Sequence, residues 1–409
     1  MTKNITEILK NDIKILSVVE LFGGLNLTKM GSNLIGNCPT GHSSSSGRCF
    51  SVDLSGDYFH CFNCKKGGDI FELVSIVKFF DFKESLKFLC ESFRPDLLKN
   101  ISNQDYSNYS PKQKEYYQKG KYYDYIFHLG KELLYSSEGK DCLNYLINQR
   151  NYELENLKNT EWIYFPSREK IKSYLKENYQ DVNLEEIDSL NLNGYFGDNF
   201  SLAIPYRDRK GVITGFMKRS ILPQGINLTT YDGKEHKNVR WDSTKGLNKD
   251  DLFNLNKCKG LKEVIILEGV PDGAYLPTLG LKNVVSVSQG VLSNNHLEGL
   301  NSLGIKRVIL SFDNDKPDEN GTMTGFENTK KALEILRKTD IDVFVLDPRW
   351  LMQSKDPDEY IQKNGIESFK SLLKEVVLSS KFIVDYYSKK YDILNDIEKS
   401  ALIEKVIDY

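Results

Sequence analysis

Long apolar runs and cysteine are both scarce in this chain, and each scarcity excludes a class of protein. No stretch of about 18 apolar residues occurs, and the first thirteen residues mix Lys, Asn, Asp and Glu without an apolar core. The sequence therefore indicates neither a membrane-spanning helix nor a signal peptide. Seven cysteines in 409 residues are too few and too unevenly spread for a disulfide scaffold. We expect a soluble cytoplasmic protein with room for two or three domains.

An excess of charge of one sign is also missing from the chain as a whole. The formal net charge is −2 and the isoelectric point is near 6.3, which excludes a globally basic protein. Residues 205–260, however, contain twelve Lys and Arg against six Asp and Glu, whereas residues 261–365 contain twelve against sixteen. This contrast predicts a basic surface for phosphate groups beside an acidic metal site. The candidates on the basic side are Lys218, Arg219, Lys237 and Arg240, with Trp241 able to stack on a base.

Acidic residues follow the apolar runs of the region 263–359. We predict strands over 263–267, 306–312 and 342–346, separated by helical segments, which is the alternation of βαβ units around a parallel sheet. The carboxylates that follow these strands are Glu268, with Asp272 in the same turn, then Asp313 and Asp315, then Asp356 and Asp358. Because ligands bind beyond the carboxyl ends of parallel strands, we expect these side chains to converge on one edge of the sheet.

Carboxylates gathered at one edge repel each other and take up protons unless a cation neutralises them. Mg²⁺ prefers oxygen ligands and is usually held by one or two carboxylates together with water and substrate phosphates. Two such ions about 3.5–4 Å apart suit a displacement at phosphorus. We predict that Mg²⁺ or Mn²⁺ is bound by a set comprising Glu268, Asp313, Asp315, Asp356 and Asp358. The alternative is that these residues belong to ordinary acidic surface loops.

Four of the seven cysteines lie between residues 38 and 64, together with two histidines. Two pairs of ligands brought together by a hairpin form a tetrahedral Cys₃His zinc site, and the spacing predicts Cys38, His42, Cys61 and Cys64. Cys49 and His60 are rival ligands, which we rank lower because Cys49 is expected in mid-strand and His60 adjoins Cys61. Cys61 and Cys64 taken alone also fit a redox pair or two small buried residues.

Both groups of motifs resemble one known family. The order Cys-Pro with His42, Phe-Ser-Val, His-Cys-Phe-x-Cys and Gly-Gly-Asp-Ile-Phe resembles the zinc ribbon at the N-terminus of DnaG-type bacterial and phage DNA primases. The acids at 268, 313, 315, 356 and 358 resemble the Toprim domain found in primases, topoisomerases and some nucleases. The chain departs from that pattern after Asp315, where an apparent insertion delays the expected glycine to Gly325. This departure and the Lys-, Asn-, Ile- and Tyr-rich composition favour a phage or mobile-element origin.

The region between these motifs resembles the N-terminal part of the primase catalytic core. Residues 202–219 read as a β-hairpin with a polar turn and match the family's basic hairpin, and the segment that ends at Arg150 resembles an element that opens the core. The resemblance implies that Arg150, Arg207, Lys218 and Arg219 contact template and nucleotide. It also implies weaker matches for Lys237 and Arg240.

The resemblance implies a DNA primase, which synthesises short RNA primers on single-stranded DNA from ribonucleoside triphosphates. Glu268, Asp313 and Asp315 are then the catalytic acids, zinc is structural, and a replicative helicase is an expected partner. Three alternatives remain open: a Toprim nuclease, a topoisomerase, and a noncatalytic DNA-binding replication factor. The ribbon and the basic hairpin count against the nuclease, and the intact acid set counts against the noncatalytic factor.

The predicted fold class is α+β and multidomain. We expect a zinc ribbon over 1–94, a flexible linker over 95–120, a basic subdomain over 121–260, a Toprim subdomain with a parallel sheet over 261–365, and a small helical bundle over 366–409. The linker rests on the polar composition after Ile101.

Overall fold

A computed structural model gives the fold of the chain in two compact units. The described residues are 5–39, 47–63, 65–78, 80, 82–100, 111–179, 182–190, 192–194, 196, 200–223, 225–230, 233–237, 239–288, 291–316, 324–388 and 395–407. One unit comprises Met1–Tyr116 with Glu298–Gly304, and the other comprises Tyr117–Leu297 and Ile305–Tyr409. None of the helices in the described ranges combines the length and apolar composition that a bilayer crossing requires.

The first unit contains an antiparallel sheet and short helices. Its elements are α1 (Ile5–Asp12), α2 (Ile15–Leu21), β1 (Thr28–Met30), β2 (Asn33–Gly36), β3 (Phe50–Asp53), β4 (Tyr58–Cys61), β5 (Gly67–Gly68), α3 (Ile70–Lys78) and α4 (Phe82–Phe93), with 3₁₀ turns at Gly23–Asn26 and Pro95–Asn100. The strands pair in chain order, each antiparallel to the next. Cys49 immediately precedes β3, so the expectation that it lies in mid-strand is wrong.

Alternation along β3 and β4 decides which side of this sheet faces the core. Phe50, Val52 and Phe59 are fully buried and share one apolar cluster with the buried stripes of α3 and α4. The rings of Phe50 and Phe59 stack with their centroids 5.2 Å apart. Because neighbouring residues of a strand point to opposite faces, Tyr58 lies on the other side, where it is 49% exposed. The ribbon therefore has one packed face and one open face.

The segment predicted as a flexible linker is largely helical where the structure describes it. A 3₁₀ turn covers Pro95–Asn100, and a 24-residue helix, α5 (Pro111–Leu134), begins well before residue 120. Proline suits the first helical position because its missing N–H has no partner there in any case, and the Lys, Gln and Glu that follow are good helix formers. The polar composition after Ile101 thus coincides in part with the start of a helix. Residues 101–110 lie outside the described residues.

The first half of the second unit is built on an antiparallel sheet. Its elements after α5 are α6 (Lys140–Asn144), a π-helical turn (Tyr145–Gln149), α7 (Leu154–Lys158), β6 (Ile163–Tyr164), α8 (Arg168–Asn178), α9 (Leu184–Ser189), β7 (Leu202–Arg207), β8 (Ile213–Arg219), β9 (Asn227–Thr229), β10 (Glu235–Lys237) and β11 (Trp241–Ser243). The sheet has the order β11-β8-β7-β6, and β9 pairs with β10 separately. The predicted hairpin is present as β7 and β8. Its turn is held by Asp208, whose Oδ1 accepts hydrogen bonds from the amides of Lys210 and Val212 at 3.0 and 3.1 Å.

The second half of this unit contains the predicted parallel sheet. The elements along this part of the chain are a 3₁₀ turn (Leu255–Cys258), β12 (Glu263–Leu267), α10 (Val270–Tyr275), a second 3₁₀ turn (Leu276–Leu279), β13 (Val284–Ser286), α11 (Asn294–Ser302), β14 (Arg307–Leu310), α12 (Thr324–Leu336), β15 (Asp342–Val345), a third 3₁₀ turn (Pro348–Leu351), α13 (Pro357–Asn364), α14 (Ile366–Leu372), β16 (Val377–Leu378), α15 (Ser379–Ser388) and α16 (Asp396–Ile407). The second half of α11, from Glu298, is assigned to the first unit. The strand order is β13-β12-β14-β15-β16, and all pairs are parallel except β15 with β16.

The C-terminal residues contribute a strand to this sheet, whereas the sequence predicted a separate helical bundle over residues 366–409. Strand β16 pairs antiparallel with β15. Phe382 and Ile383 of α15 are fully buried, and the Phe382 ring lies 5.4 Å from that of Phe326 on α12. Periodicity alone could not distinguish helices that pack on a sheet from helices that pack on each other, because both need one apolar stripe.

Candidate active site

The predicted acids lie at the carboxyl edge of the parallel sheet. Glu268 directly follows β12, and Asp313 comes three residues after β14, its parallel neighbour. Asp356 is the N-cap of α13, where its side chain accepts a hydrogen bond from the Glu359 amide at 2.8 Å. Because β12 and β14 run side by side in the same direction, residues 45 positions apart in the sequence come within hydrogen-bonding distance at this edge.

Glu268 has both carboxylate oxygens fixed by donors. Its Oε1 accepts a hydrogen bond from the Asp313 amide and its Oε2 accepts one from Asn328 Nδ2, each at 3.2 Å. Burial raises the pKa of Glu268 to about 7, and these two donors only partly oppose that rise. A carboxyl group with a pKa near neutrality is suited to bind a cation or to act as a general base.

Of the two carboxylates, Asp313 has the more strongly raised pKa. Burial raises its pKa to about 8, and the negative charges of Glu268 and Asp356 add to the effect. Its Oδ1 is buried and has no hydrogen-bond partner within the described part of the chain. A buried oxygen left without a partner costs about 1–3 kcal/mol. A cation between Glu268 and Asp313 would remove both the repulsion and the unpaired oxygen.

A glycine allows α12 to approach this pair. A Cβ atom on Gly325 would lie 1.9 Å from the carbonyl oxygen of Asp313, so no other residue fits there without displacing the backbone. The sequence pattern expects a glycine after the two aspartates, and Gly325 takes that place in spite of the longer loop. Residues 317–323, where the insertion was predicted, lie outside the described residues.

Asn314 fastens the loop of Asp313 and Asp315 to the loop before α13. Its amide donates to the Lys355 carbonyl at 2.6 Å, and its Nδ2 donates to the carbonyls of Met352 and Ser354 at 2.9 and 3.3 Å. Lys355 Nζ in turn lies 3.8 Å from Asp315 Oδ1. The acids predicted in two separate motifs are therefore held on two loops that are tied to each other.

Arg150 pairs with acids at this edge. Its Nη2 lies 2.8 Å from Asp358 Oδ2 and 3.7 Å from Asp272 Oδ1, and the hydroxyl of Tyr152 contacts Asp358 at 3.5 Å. Burial raises the pKa of both Asp358 and Asp272. Asp272 was placed in the first acidic turn by the sequence but left out of the metal ligands, and it is 4% exposed. Arg150 thus offsets two buried carboxylates.

The donor set fits an open site for a hard divalent cation. No set of three or more His, Cys, Asp or Glu side chains within the described ranges is arranged to enclose an ion. Mg²⁺ does not need such a cage, since one or two carboxylates with water and substrate phosphates usually suffice. Glu268 and Asp313 meet that smaller requirement, because the Asp313 amide contacts Glu268 Oε1 and Asp313 Oδ1 has no hydrogen-bond partner among the described residues.

The basic residues of the hairpin divide into paired and solvent-facing ones. Arg207 contacts Glu161 at 3.0 Å and Asp124 at 3.4 Å. Lys218 is only 2% exposed, and its Nζ lies 3.8 Å from the centre of the Phe165 ring. Neither side chain is presented to a polyanion in this arrangement. The alternation of β8 explains the burial of Lys218, because it shares a strand face with core residues.

Arg219 faces a different environment. It is half-buried, its Nε donates to the Tyr145 hydroxyl at 3.2 Å, and its guanidinium lies 5.0 Å from the Trp241 ring. Lys237 is exposed on β10 and Arg240 is half-buried just before β11. Of the basic residues predicted from the sequence, these three leave charge accessible to solvent.

The zinc ligands are described only in part. Cys38 and Cys61 are buried in the core of the first unit, whereas His42 and Cys64 lie outside the described residues. Around Cys61 the chain makes a tight turn: the Cys61 amide donates to the Lys66 carbonyl at 2.7 Å, and the Lys65 amide donates to the Cys61 carbonyl at 2.9 Å. Lys65 has φ +61°, a left-handed conformation that closes the turn. Such a turn is suited to bring two cysteines of a Cys-x-x-Cys pair to one ion.

The open face of the ribbon carries exposed aromatic side chains. Tyr58 is 49% exposed and Phe62 is 62% exposed, and the ring of His60 lies between them in the sequence, 5.0 Å from that of Phe62. On the same side, Asn33 Nδ2 donates to Ser51 Oγ at 3.3 Å. Flat aromatic rings above polar neighbours form a surface on which bases can stack.

Comparison with known protein families matches both groups of motifs found in the sequence, the cysteine-rich one and the acidic one. Residues 1–105 match the CHC2 zinc finger family, and residues 262–347 match the Toprim domain family. The predictions of an N-terminal zinc-binding domain and a Toprim domain with a parallel sheet are thereby confirmed. The zinc finger implies zinc, and the Toprim domain implies a divalent metal.

Curated relatives and one solved structure extend the similarity along the chain. The DNA primase of Borreliella burgdorferi is 26% identical over 417 residues, which cover 97% of this chain and 73% of the relative. That of Staphylococcus epidermidis is 29% identical over 415 residues, which cover 98% and 64%. A crystal structure of the Aquifex aeolicus primase, with its zinc-binding and RNA polymerase domains, is 23% identical and covers 100% of this chain and 93% of its own, with a TM-score of 0.54.

This chain therefore spans about two thirds of the length of such curated relatives. The organisms named are bacterial, and they give no support to a phage or mobile-element origin. The solved structure supports a similar fold along the whole chain.

Proposed function

We propose that the chain is a DnaG-type DNA primase that synthesises short RNA primers on a single-stranded DNA template, since it matches the CHC2 zinc finger and Toprim families and its curated relatives are DNA primases. The observation that carries the proposal is the pair Glu268 and Asp313, two partly buried carboxylates with raised pKa values, of which Asp313 has an oxygen without a hydrogen-bond partner among the described residues. This pair stands at the edge of a parallel sheet, where ligands of such sheets bind.

Glu268 and Asp313 are the residues proposed to hold Mg²⁺ or Mn²⁺, with Asp315 and Asp356 on the two tied loops beside them. A divalent ion held there would supply positive charge for the triphosphate and would lower the pKa of an attacking hydroxyl. The protein's own part is to keep the carboxylates in place. Asp358, also predicted as a ligand, is held by Arg150, and its remaining oxygen is unpaired among the described residues.

The basic residues have separate proposed roles. Arg219, Lys237 and Arg240 are proposed to contact template or nucleotide, because they keep their charge near solvent. The Trp241 ring next to the Arg219 guanidinium is proposed to take part in the same contact. Arg150 is proposed to position Asp358 and to offset the charge of Asp272. Arg207 and Lys218 are proposed to stabilise the hairpin.

The ribbon is proposed to bind template. Zinc held by Cys38, His42, Cys61 and Cys64 would fix the turn around Cys61, and Tyr58 and Phe62 would stack on unpaired bases. We also propose a replicative helicase as partner, because primers are needed where the template strand is exposed. A cytoplasmic location is part of the same proposal.

The test is the product formed from single-stranded DNA, labelled ribonucleoside triphosphates and Mg²⁺ or Mn²⁺. Primer synthesis gives short labelled RNAs that require both template and metal. Metal-dependent shortening of the DNA without labelled RNA would contradict the proposal and favour a Toprim nuclease. DNA binding without either product would favour a noncatalytic replication factor.

A further inference from the structure

Asn328 is a polar side chain that the fold buries against a candidate catalytic acid. It is 8% exposed, and its Nδ2 donates to Glu268 Oε2 at 3.2 Å. The other oxygen of Glu268 accepts a hydrogen bond from the Asp313 amide at the same distance. The Glu268 carboxylate therefore accepts two hydrogen bonds, one from the backbone amide of Asp313 after β14 and one from the side chain of Asn328 on α12.

The helix reaches Glu268 because of Gly325. Gly325 packs directly against the Asp313 carbonyl, where a Cβ atom would lie 1.9 Å away. Residues three apart lie on one face of a helix, so the close approach at Gly325 brings Asn328 over the same edge of the sheet. A helix held farther away would leave the amide of Asn328 out of hydrogen-bonding reach.

Two donors, one on each oxygen, leave room for a ligand. Each oxygen of an ionised carboxylate has two acceptor sites, and the described contacts use one on each. The two donors hold the Glu268 carboxylate, and Oδ1 of the neighbouring Asp313 has no hydrogen-bond partner among the described residues. This is the arrangement in which groups outside the first ligands orient those ligands and tune the metal.

We propose that Asn328 is a positioning residue that orients the Glu268 carboxylate for the divalent cation. The inference rests on the proposed function, because it takes the Glu268 and Asp313 pair as the metal site. Asn328 itself touches neither metal nor substrate.

The alternative is that Asn328 only stabilises the fold. A substitution at the neighbouring Thr329 distinguishes this structural role from a positioning role. Thr329 lies on the same helix and is 0% exposed, and its hydroxyl donates to the Gly325 carbonyl at 2.7 Å. It contacts Gly325 and has no described hydrogen bond to Glu268. Asn328→Leu and Thr329→Val each keep the side-chain shape and remove one buried hydrogen bond, so they form a matched pair.

The experiment measures Mn²⁺ binding to the intact protein by titration calorimetry, with the melting temperature recorded for every variant. We expect Asn328→Leu to weaken Mn²⁺ binding by about tenfold or more, as loss of such outer contacts does. Thr329→Val should lower the melting temperature by a similar amount and leave Mn²⁺ affinity unchanged. In primer synthesis, excess Mn²⁺ should restore most of the rate of Asn328→Leu.

Three outcomes would overturn the inference. If Asn328→Leu binds Mn²⁺ as the unaltered protein does, Asn328 has no positioning role and the proposed metal site survives. If Thr329→Val weakens Mn²⁺ binding equally, the effect of Asn328 is structural. If the unaltered protein binds no Mn²⁺, the proposed metal site and this inference fall together.

Discussion

Two regions of the second unit bury charged groups, but they balance the charge differently. At the hairpin, Arg207 and Lys257 both contact Glu161 at 3.0 Å, and Arg209 contacts Asp251 at 2.6 Å. At the carboxyl edge of the parallel sheet, by contrast, like charges stand together, and Asp313 has an oxygen without a partner among the described residues. Balanced buried charge serves the fold. Unbalanced buried charge marks the place where a ligand of opposite sign is expected.

Removing an unbalanced carboxylate should have the largest effect on catalysis. We expect Asp313→Asn to lower the rate of primer synthesis by at least about a thousandfold, because the cation loses a ligand that stabilises developing charge. The same change should raise the melting temperature of the metal-free protein, since it relieves repulsion with Glu268. Rates at saturating metal and thermal melts in chelator check both parts. A fall in metal-free stability would show that Asp313 serves the fold.

Removing a balanced carboxylate should have the opposite signature. Glu161→Ala leaves Arg207 and Lys257 without their partner, which should lower the free energy of unfolding by about 3 kcal/mol. Mn²⁺ affinity should not change. Glu155→Ala is the matched control, because Glu155 forms an exposed pair with Lys158 and such pairs contribute at most about 1 kcal/mol. Equal effects of the two changes in urea melts would contradict the distinction.

The pH dependence of metal-free stability should report the unbalanced pair. The pKa values of Glu268 and Asp313 are raised to about 7 and about 8, above those of an unfolded chain. The folded state then holds more protons than the unfolded state between about pH 4 and 8, so stability should fall as pH rises through that range. Added Mg²⁺ should restore it, by about 2.7 kcal/mol at a hundred times the dissociation constant. Melts that rise with pH in chelator would contradict this account.

The smallest expected effect belongs to a cation that the hairpin leaves accessible. Within the described residues Arg219 has no ion pair and contacts Tyr145 and Trp241. Arg219→Ala should weaken template or nucleotide binding by about tenfold and change the melting temperature little. Arg207→Ala, its counterpart on the paired strand, should do the reverse. Filter binding and thermal melts on the two variants would separate these roles.

The acidic edge was largely predictable from the sequence because its signals are local. Strand β12 has the predicted bounds, and the acids that end each apolar run lie where parallel strands place them. The edge strand β13 was missed because Val284–Ser286 is only three residues long, too short for a pattern. The zinc-binding and Toprim domains were predicted for the same local reason.

What the sequence could not give depends on contacts between distant residues. Arg150 was assigned to nucleic acid, yet it pairs with Asp358, 208 positions away. Lys218 was assigned the same role from a motif, and strand alternation buries it. Asn328 carried no signal in the sequence, because its side-chain amide can donate a hydrogen bond to Glu268 only when Gly325 brings the helix close.

Metal titration of the carboxylate pair tests the central claim most directly. Mn²⁺ binding would be measured by calorimetry at pH 8 for the unaltered protein, Glu268→Gln, Asp313→Asn and Glu161→Gln. The account predicts binding to the unaltered protein, a loss of at least about tenfold in affinity for the first two variants, and no loss for Glu161→Gln. Equal Mn²⁺ affinity in all four proteins would contradict it.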